Sequence, residues 1–312
     1  MKDFPVYRKL AVRGYAIGLA LAVFGAVRIL AQTDSYDTNA FSFIAAGDMR
    51  NFISGAPTGK CYFEGLCDAV KKVGAGDFMI GPGDCDPPAP VRAAIDRHIG
   101  TNYLWYPVIG NHDAALPGDM AWVRHWAETG IPHLVQRGPA GAEDTTYSFD
   151  AGNSHFVVMN YYYDGHSDAT GNGDVPDTAL DWLKKDLAAT HQPLIWVVGH
   201  KPIKSIPDMD SGRSRHAEDS VSANPLHRKK FVDLLKQDQV RAYICGHTHK
   251  CSITKVEDIW QADSGHARGA GDIGSPSTFL KFRILGRQSW VDVYRSDTNG
   301  VDYRLRATLE LK

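Results

Sequence analysis

The chain has 312 residues, 43% hydrophobic and 22% charged, with 30 Gly and 16 Pro. That balance belongs to a globular protein, excludes a disordered, collagen-like or coiled-coil one, and at this length permits a single large α/β core. Lys and Arg total 34 against 36 Asp and Glu, so there is no net basic field to hold a polyanion, and general nucleic-acid binding is not expected.

The first 31 residues open with Lys2, Arg8, Lys9 and Arg13, continue through an apolar run over 14–27 and reach the small residue Ala31. The run is shorter than the ~20 apolar residues of a membrane-spanning helix, and a basic start before a short apolar centre predicts a secretory signal. An uncleaved N-terminal membrane anchor is the alternative, and either one predicts an exported chain, periplasmic or secreted. Residues 32–40 read as a linker and 41–312 as one domain. Export permits disulfides, and among the five cysteines Cys61 with Cys67 is the natural pair, with Cys245 and Cys251 a second candidate.

Beyond the linker, short apolar runs bounded by Gly predict buried strands over 41–46, 78–80, 106–109, 194–198 and 242–245. Between them Val91, Ile95 and Ile99, then Leu180, Leu183 and Leu187, then Phe231, Leu234 and Leu235 recur at helical spacing. Strands alternating with helices predict a layered α/β fold. Residues 146–162 read as an antiparallel hairpin insertion turning at Gly152 and Asn153. Near the end, Tyr303, Leu305, Ala307, Leu309 and Leu311 alternate with polar residues, which predicts a strand with one buried and one wet face. The longest irregular stretch, 204–224, carries Arg213, Arg215 and His216; these read as a solvated charge cluster, with contact to an anionic substrate as the alternative. Tyr161, Tyr162 and Tyr163 read as core and rim packing, with the lining of a site mouth as the alternative.

Chemistry gathers where the apolar runs end: Gly47-Asp48-Met49-Arg50, Gly83-Asp84-Cys85-Asp86, Gly110-Asn111-His112-Asp113, Gly199-His200 and Gly246-His247-Thr248-His249. In α/β sheets ligands bind beyond the carboxyl ends of the strands, so these clusters are expected to converge on one crevice. Carboxylates, an amide oxygen and imidazoles together suit Mn, Fe or Zn better than an ion that prefers oxygen alone. The glycine ahead of each ligand is expected to free the backbone for a sharp turn. Two other motifs fail: 55–61 has the wrong spacing and a Cys where a phosphate loop needs Ser or Thr, and Ser264 lacks the glycines of a hydrolase elbow.

The order of these five motifs closely resembles that of the calcineurin-like metallophosphoesterases, a family that also includes purple acid phosphatases and DNA-repair nucleases. The resemblance covers about residues 41–251. It implies a four-layer α/β/β/α sandwich of two mixed β-sheets flanked by helices, holding two divalent or trivalent ions (Mn, Fe or Zn). Carried over by motif, Asp84 bridges the two ions, Asp48 and His249 serve the first, and Asn111, His200 and His247 serve the second. His112 would be the acid beside the substrate and Asp113 its orienter, while Asn111 and Arg50 would also meet the substrate. The implied reaction is hydrolysis of a phosphate monoester or diester, small or macromolecular, by a metal-held hydroxide.

One departure bears on the first ion. Arg50 stands where the family usually has a His, and a guanidinium cannot ligate; Pro87 stands where purple acid phosphatases carry a substitute Tyr. The first site is therefore expected to be weak, or completed by Asp86 or water, and Arg50 either clamps a phosphate oxygen or pairs with a carboxylate. The rival to an enzyme is a catalytically impaired phosphate- or nucleotide-binding protein of the same fold. A structural zinc domain is disfavoured, because such sites close with Cys and His.

Overall fold

The computed structural model describes residues 40–49, 62–168, 173–221, 224–268, 275–296 and 302–312. The expected signal or anchor, the linker up to residue 39, Arg50, the 55–61 loop and Cys61 lie outside them. Among the described residues no helix is long and apolar enough to cross a membrane.

In the first sheet β1 (Ala40–Ala45) pairs in parallel with β2 (Phe78–Gly81), and β2 with β3 (Leu104–Pro107). The second sheet begins with β4 (Leu134–Arg137), β5 (Tyr147–Ala151) and β6 (Ser154–Val158), joined antiparallel. It continues in parallel through β7 (Leu194–Val198), β8 (Ala242–Cys245) and β10 (Ile259–Ser264), with β9 (Cys251–Val256) antiparallel at its edge. The chain then returns to the first sheet, where β11 (Thr278–Leu285) pairs antiparallel with β1 and is followed outward by β12 (Gln288–Arg295) and β13 (Arg304–Glu310).

Inward side chains of the two sheets form an aromatic slab. Phe43 stacks on Phe282 at 4.7 Å and meets Trp196 edge-on at 5.4 Å, and Phe78 meets Phe156 at 5.2 Å. Helices α1 (Tyr62–Val73) and α2 (Pro88–His98) cover the outer face of the first sheet through Leu66, Val70, Val91 and Ile95. After β3 come α3 (Asn111–Ala115) and α4 (Pro117–Gly130). The outer face of the second sheet is covered by α5 (Asp177–Ala189) and α6 (Pro225–Gln237) through Leu183, Phe231 and Leu235. The result is the expected four-layer α/β/β/α sandwich of two mixed sheets.

Several local expectations change. The third strand starts at Leu104, two residues earlier than the apolar run suggested. The 146–162 hairpin is not an insertion: every residue of β6 is buried, and β6 pairs in parallel with β7, so the hairpin is integral to the second sheet. Strands β9 to β12 carry no expectation from sequence. The tight turn between β9 and β10 is made by Glu257 and Asp258 in left-handed conformation, φ 49° and 68°, rather than by the Asn-Gly chemistry that marks such turns. Leu305 is 53% exposed, so the expected buried face of the last strand is interrupted there, while Tyr303, Ala307 and Leu309 pack against the core. Cys245 and Cys251 are separate buried thiols, not a disulfide; each packs as a small apolar residue, and Cys251 Sγ lies 3.9 Å from Met209 Sδ.

Candidate metal centre

The exits of β1 and β2 interlock with those of β7 and β8 through the backbone. Asp48 N donates to Gly83 O, Met49 N to Asp84 O, Gly199 N to Ile244 O and Gly246 N to His200 O. The two halves are joined across the sheets by His247 N, which donates to Asp48 Oδ2 at 2.8 Å. This is how residues 200 positions apart in sequence reach one crevice: the first sheet contributes three parallel strands, β1 to β3, and the second two, β7 and β8, whose carboxyl ends face the same side.

The backbone strain falls on the ligands, which corrects the role expected of the glycines. Asp48, Asp84, His247 and His249 all have left-handed φ, between 51° and 70°, a costly conformation that clusters at functional sites. Among the five glycines ahead of the ligands only Gly83 has a positive φ. What the others supply is room: a Cβ on Gly110 would sit 2.2 Å from Asp84 Oδ1, and one on Gly246 2.3 Å from Asp48 Oδ2. Gly110→Ala is therefore expected to displace Asp84, destabilise the fold by about 1–3 kcal/mol and lower metal uptake. Unfolding and elemental analysis of the variant check this, and unchanged uptake would show that Asp84 tolerates the shift.

At the expected second site three atoms form a small triangle. Asn111 Oδ1 lies 3.2 Å from His200 Nε2 and 3.1 Å from His247 Nδ1, and the two ring nitrogens are 3.2 Å apart. Asp84 Oδ1 is 3.4 Å from His200 Nε2. Hydrogen bonds on the far side of each ring fix the tautomers. His200 Nδ1 lies 2.8 Å from Pro82 O, and His247 Nε2 lies 2.7 Å from Asp219 Oδ2; both oxygens only accept, so both nitrogens carry the hydrogen. The neutral imidazoles thus turn lone pairs toward a third lone pair on the amide, with no hydrogen among the three. Burial, with His200 adding, lowers the His247 pKa despite the pull of Asp219, which favours that neutral form. Donors spaced this way fit one cation with bonds of about 2.0–2.2 Å.

The expected first site is arranged differently. Donor atoms of Asp48, Asp84 and His249 lie within 4.8 Å of one another, all buried. His249 Nε2 is 3.1 Å from Asp48 Oδ1, an oxygen on which no donor is well aligned. Burial alone would raise the Asp48 pKa, but His249 and the two second-site imidazoles hold it down at about 2, so it is a carboxylate at neutral pH. His249 Nδ1 accepts a 2.6 Å hydrogen bond from Arg215 Nη1.

Between and above these groups lies a cleft of about 400 Å³ lined by Asp84, Asn111, His112, Tyr162, Lys201 and residues of the 204–221 segment. The His112 side chain is about one-third exposed there, with Nε2 3.8 Å from Asp84 Oδ2, while its backbone N donates to Asp84 Oδ1 at 2.9 Å. Asp113 is turned away. Its Oδ2 accepts from Gly110 N at 2.8 Å and Cys85 N at 3.3 Å, so it anchors the loop, and no His112–Asp113 hydrogen bond is found among the described residues. Burial, with Asp84 adding, raises the Asp113 pKa.

The long loop is not a solvated cluster. Arg215 and His216 line the cleft, the His216 ring stacks on His247 at 4.6 Å, and Arg213 alone of the three stays outside it. Burial, with His247 and Arg215 adding, lowers the His216 pKa to about 4, so it is neutral at pH 7. Asp219 and Lys201 form an ion pair; Lys201 directly follows His200 in its motif, whereas Asp219 lies in the long loop, whose length was its hint. Tyr162 also borders the cleft, its backbone N held by Asn160 Oδ1.

The family model for calcineurin-like phosphoesterases matches residues 29–251. Tartrate-resistant acid phosphatase type 5 of Sus scrofa is 24% identical over 275 residues, covering 77% of this chain and 73% of that protein. The Oryctolagus cuniculus protein of the same name is 28% identical over 186 residues, so the chain spans about half of it (52%) and 57% of its own length is matched. Among solved structures PhoD superposes with a TM-score of 0.61 at 10% identity, over 87% of this chain and 69% of that one, a likeness of fold alone. With the motifs in order, the strand exits meeting at one crevice and the family model spanning most of the chain, the protein belongs to the calcineurin-like phosphoesterase family.

Proposed function

We propose that residues 41–312 form a metal-dependent hydrolase of phosphate monoesters or diesters, working in an exported compartment after the N-terminal segment has directed it there. The observation that supports this best is the triangle of Asn111 Oδ1, His200 Nε2 and His247 Nδ1, three lone pairs aimed at one point with Asp84 beside them. A buried cluster of acceptors without a hydrogen is costly by itself and is relieved by a cation. A Mn, Fe or Zn ion there would polarise a phosphoryl oxygen and acidify a water.

The chain's own residues then have distinct tasks. Asn111, His200, His247 and Asp84 hold the cation, and the bonds to Pro82 and Asp219 keep the imidazoles turned to it. His112, at the open side of Asp84, donates a proton to the leaving oxygen. Lys201, Arg215 and neutral His216 face the cleft as donors for the phosphate. Arg50, five residues past the end of β1 in sequence, is assigned to the same phosphate by its motif position.

The test is hydrolysis of chromogenic mono- and diesters by the purified chain, with metals counted in the same preparation. Turnover is expected to vanish with a chelator and return with Mn, Fe or Zn, and His200→Ala is expected to lose both metal and turnover. A folded chain that binds metal and phosphate without turnover would replace this reading with the phosphate-binding one.

A further inference from the structure

The proton inventory of the two metal groups differs, and the difference traces to Arg215. A guanidinium has donors only, so in the 2.6 Å contact between Arg215 Nη1 and His249 Nδ1 the imidazole nitrogen must accept. Neutral His249 then carries its one ring hydrogen on Nε2, the nitrogen that faces Asp48 Oδ1 at 3.1 Å. That nitrogen has no lone pair to give a cation. At the second site the corresponding nitrogens are bare, because Pro82 O and Asp219 Oδ2 draw the hydrogen to the far side of each ring. The outer partner thus selects the tautomer: an acceptor behind the ring opens the ligand face, and a donor behind it closes the face.

Arg215 is held in this position. Its Nε donates to His216 Nε2 at 3.1 Å, its backbone O accepts from Ser205 Oγ at 3.1 Å, and His216 is itself stacked on His247. Its fixed positive charge next to His249 also opposes a second cation. We propose that Arg215 keeps the Asp48–Asp84–His249 group closed, so that the chain holds one firm ion, at the Asn111–His200–His247 site, and that the first site is latent. Removal of the guanidinium lets the His249 hydrogen move to Nδ1 and leaves Nε2 bare toward Asp48. This inference rests on the reading of the second site given above, and it deepens that reading by fixing the stoichiometry.

Metal content, not turnover, tests it, since Arg215 also faces the substrate cleft. The full chain, Arg215→Met, His249→Ala and the double variant are equilibrated with zinc chloride, dialysed and analysed for zinc, with melting curves to confirm folding. The expected contents are about one ion per chain for the unmodified protein and for His249→Ala, about two for Arg215→Met, and about one again for the double variant. Two ions in the unmodified chain, or one in a folded Arg215→Met, would overturn the inference and leave the phosphoesterase reading standing. No bound zinc in any of the four would overturn both.

Discussion

His112→Ala is expected to lower kcat/KM for an alkyl phosphate about 10²–10⁴-fold while leaving metal content unchanged. The two halves of this prediction separate an acid from a ligand. The His112 side chain lies outside the Asn111–His200–His247 triangle, and its Nε2 stays 3.8 Å from Asp84 Oδ2. Its backbone N donates to Asp84 Oδ1, a bond that alanine keeps. A general acid matters most when the leaving oxygen is a poor leaving group, so the loss should shrink for a nitrophenyl ester. An equal loss for both esters would remove the acid role, and a parallel fall in bound metal would make His112 part of the cage.

Asp186→Ala is expected to destabilise the fold by about 3–5 kcal/mol without touching the site, a large share of the ~5–15 kcal/mol that holds a domain folded. His155 on β6 is fully buried between two carboxylates. Its Nδ1 lies 2.7 Å from Asp150 Oδ1 and its Nε2 2.9 Å from Asp186 Oδ2, so both nitrogens have only acceptors and the ring is an imidazolium. Ser148 Oγ donates to Asp186 Oδ1 at 2.6 Å, and Gln192 Nε2 to Asp150 Oδ2 at 2.8 Å. Burial alone would lower the His155 pKa; the hydrogen bonds and charge of Asp186, then of Asp150, outweigh it and raise the pKa above 6.5. The sign follows from linkage. A raised histidine pKa gives stability that is complete below about 6.5 and is lost as pH climbs through the raised value. Denaturant unfolding of the unmodified chain should therefore weaken over that rise in pH, and His155→Gln should flatten the dependence. A chain equally stable across it would show that His155 is neutral.

How much of the site was legible depended on whether the residue sat in a motif. Asp48, Asp84, Asn111, His200, His247 and His249 could be named because each sits in one of five short motifs at the end of an apolar run, and the order of those motifs resembles the family's. Lys201 and Asp219 were not. Asp219 reaches His247 from a loop with no periodicity, and nothing in a string of Ser, Asp and Arg says which carboxylate folds back. Arg215 and His216 were visible as charges and misplaced as solvated, since solvation is the default for a polar loop. Asp113 was expected to orient His112, whereas the turn directs its carboxylate to the amides of Gly110 and Cys85.

The same division holds for the fold. By itself the sequence determined the alternation of strands and helices, the inward faces of α2, α5 and α6, and the family, because all of these are written in local hydrophobic period and in short ordered motifs. Tertiary structure alone decided that 147–158 belongs to the second sheet and that β9 to β12 complete both sheets, since pairing partners far apart in the chain leave no local mark. It also decided which ring nitrogens carry hydrogens. That depends on whether an acceptor such as Pro82 O or a donor such as Arg215 Nη1 stands behind each imidazole, a fact of three-dimensional neighbourhood that no spacing encodes.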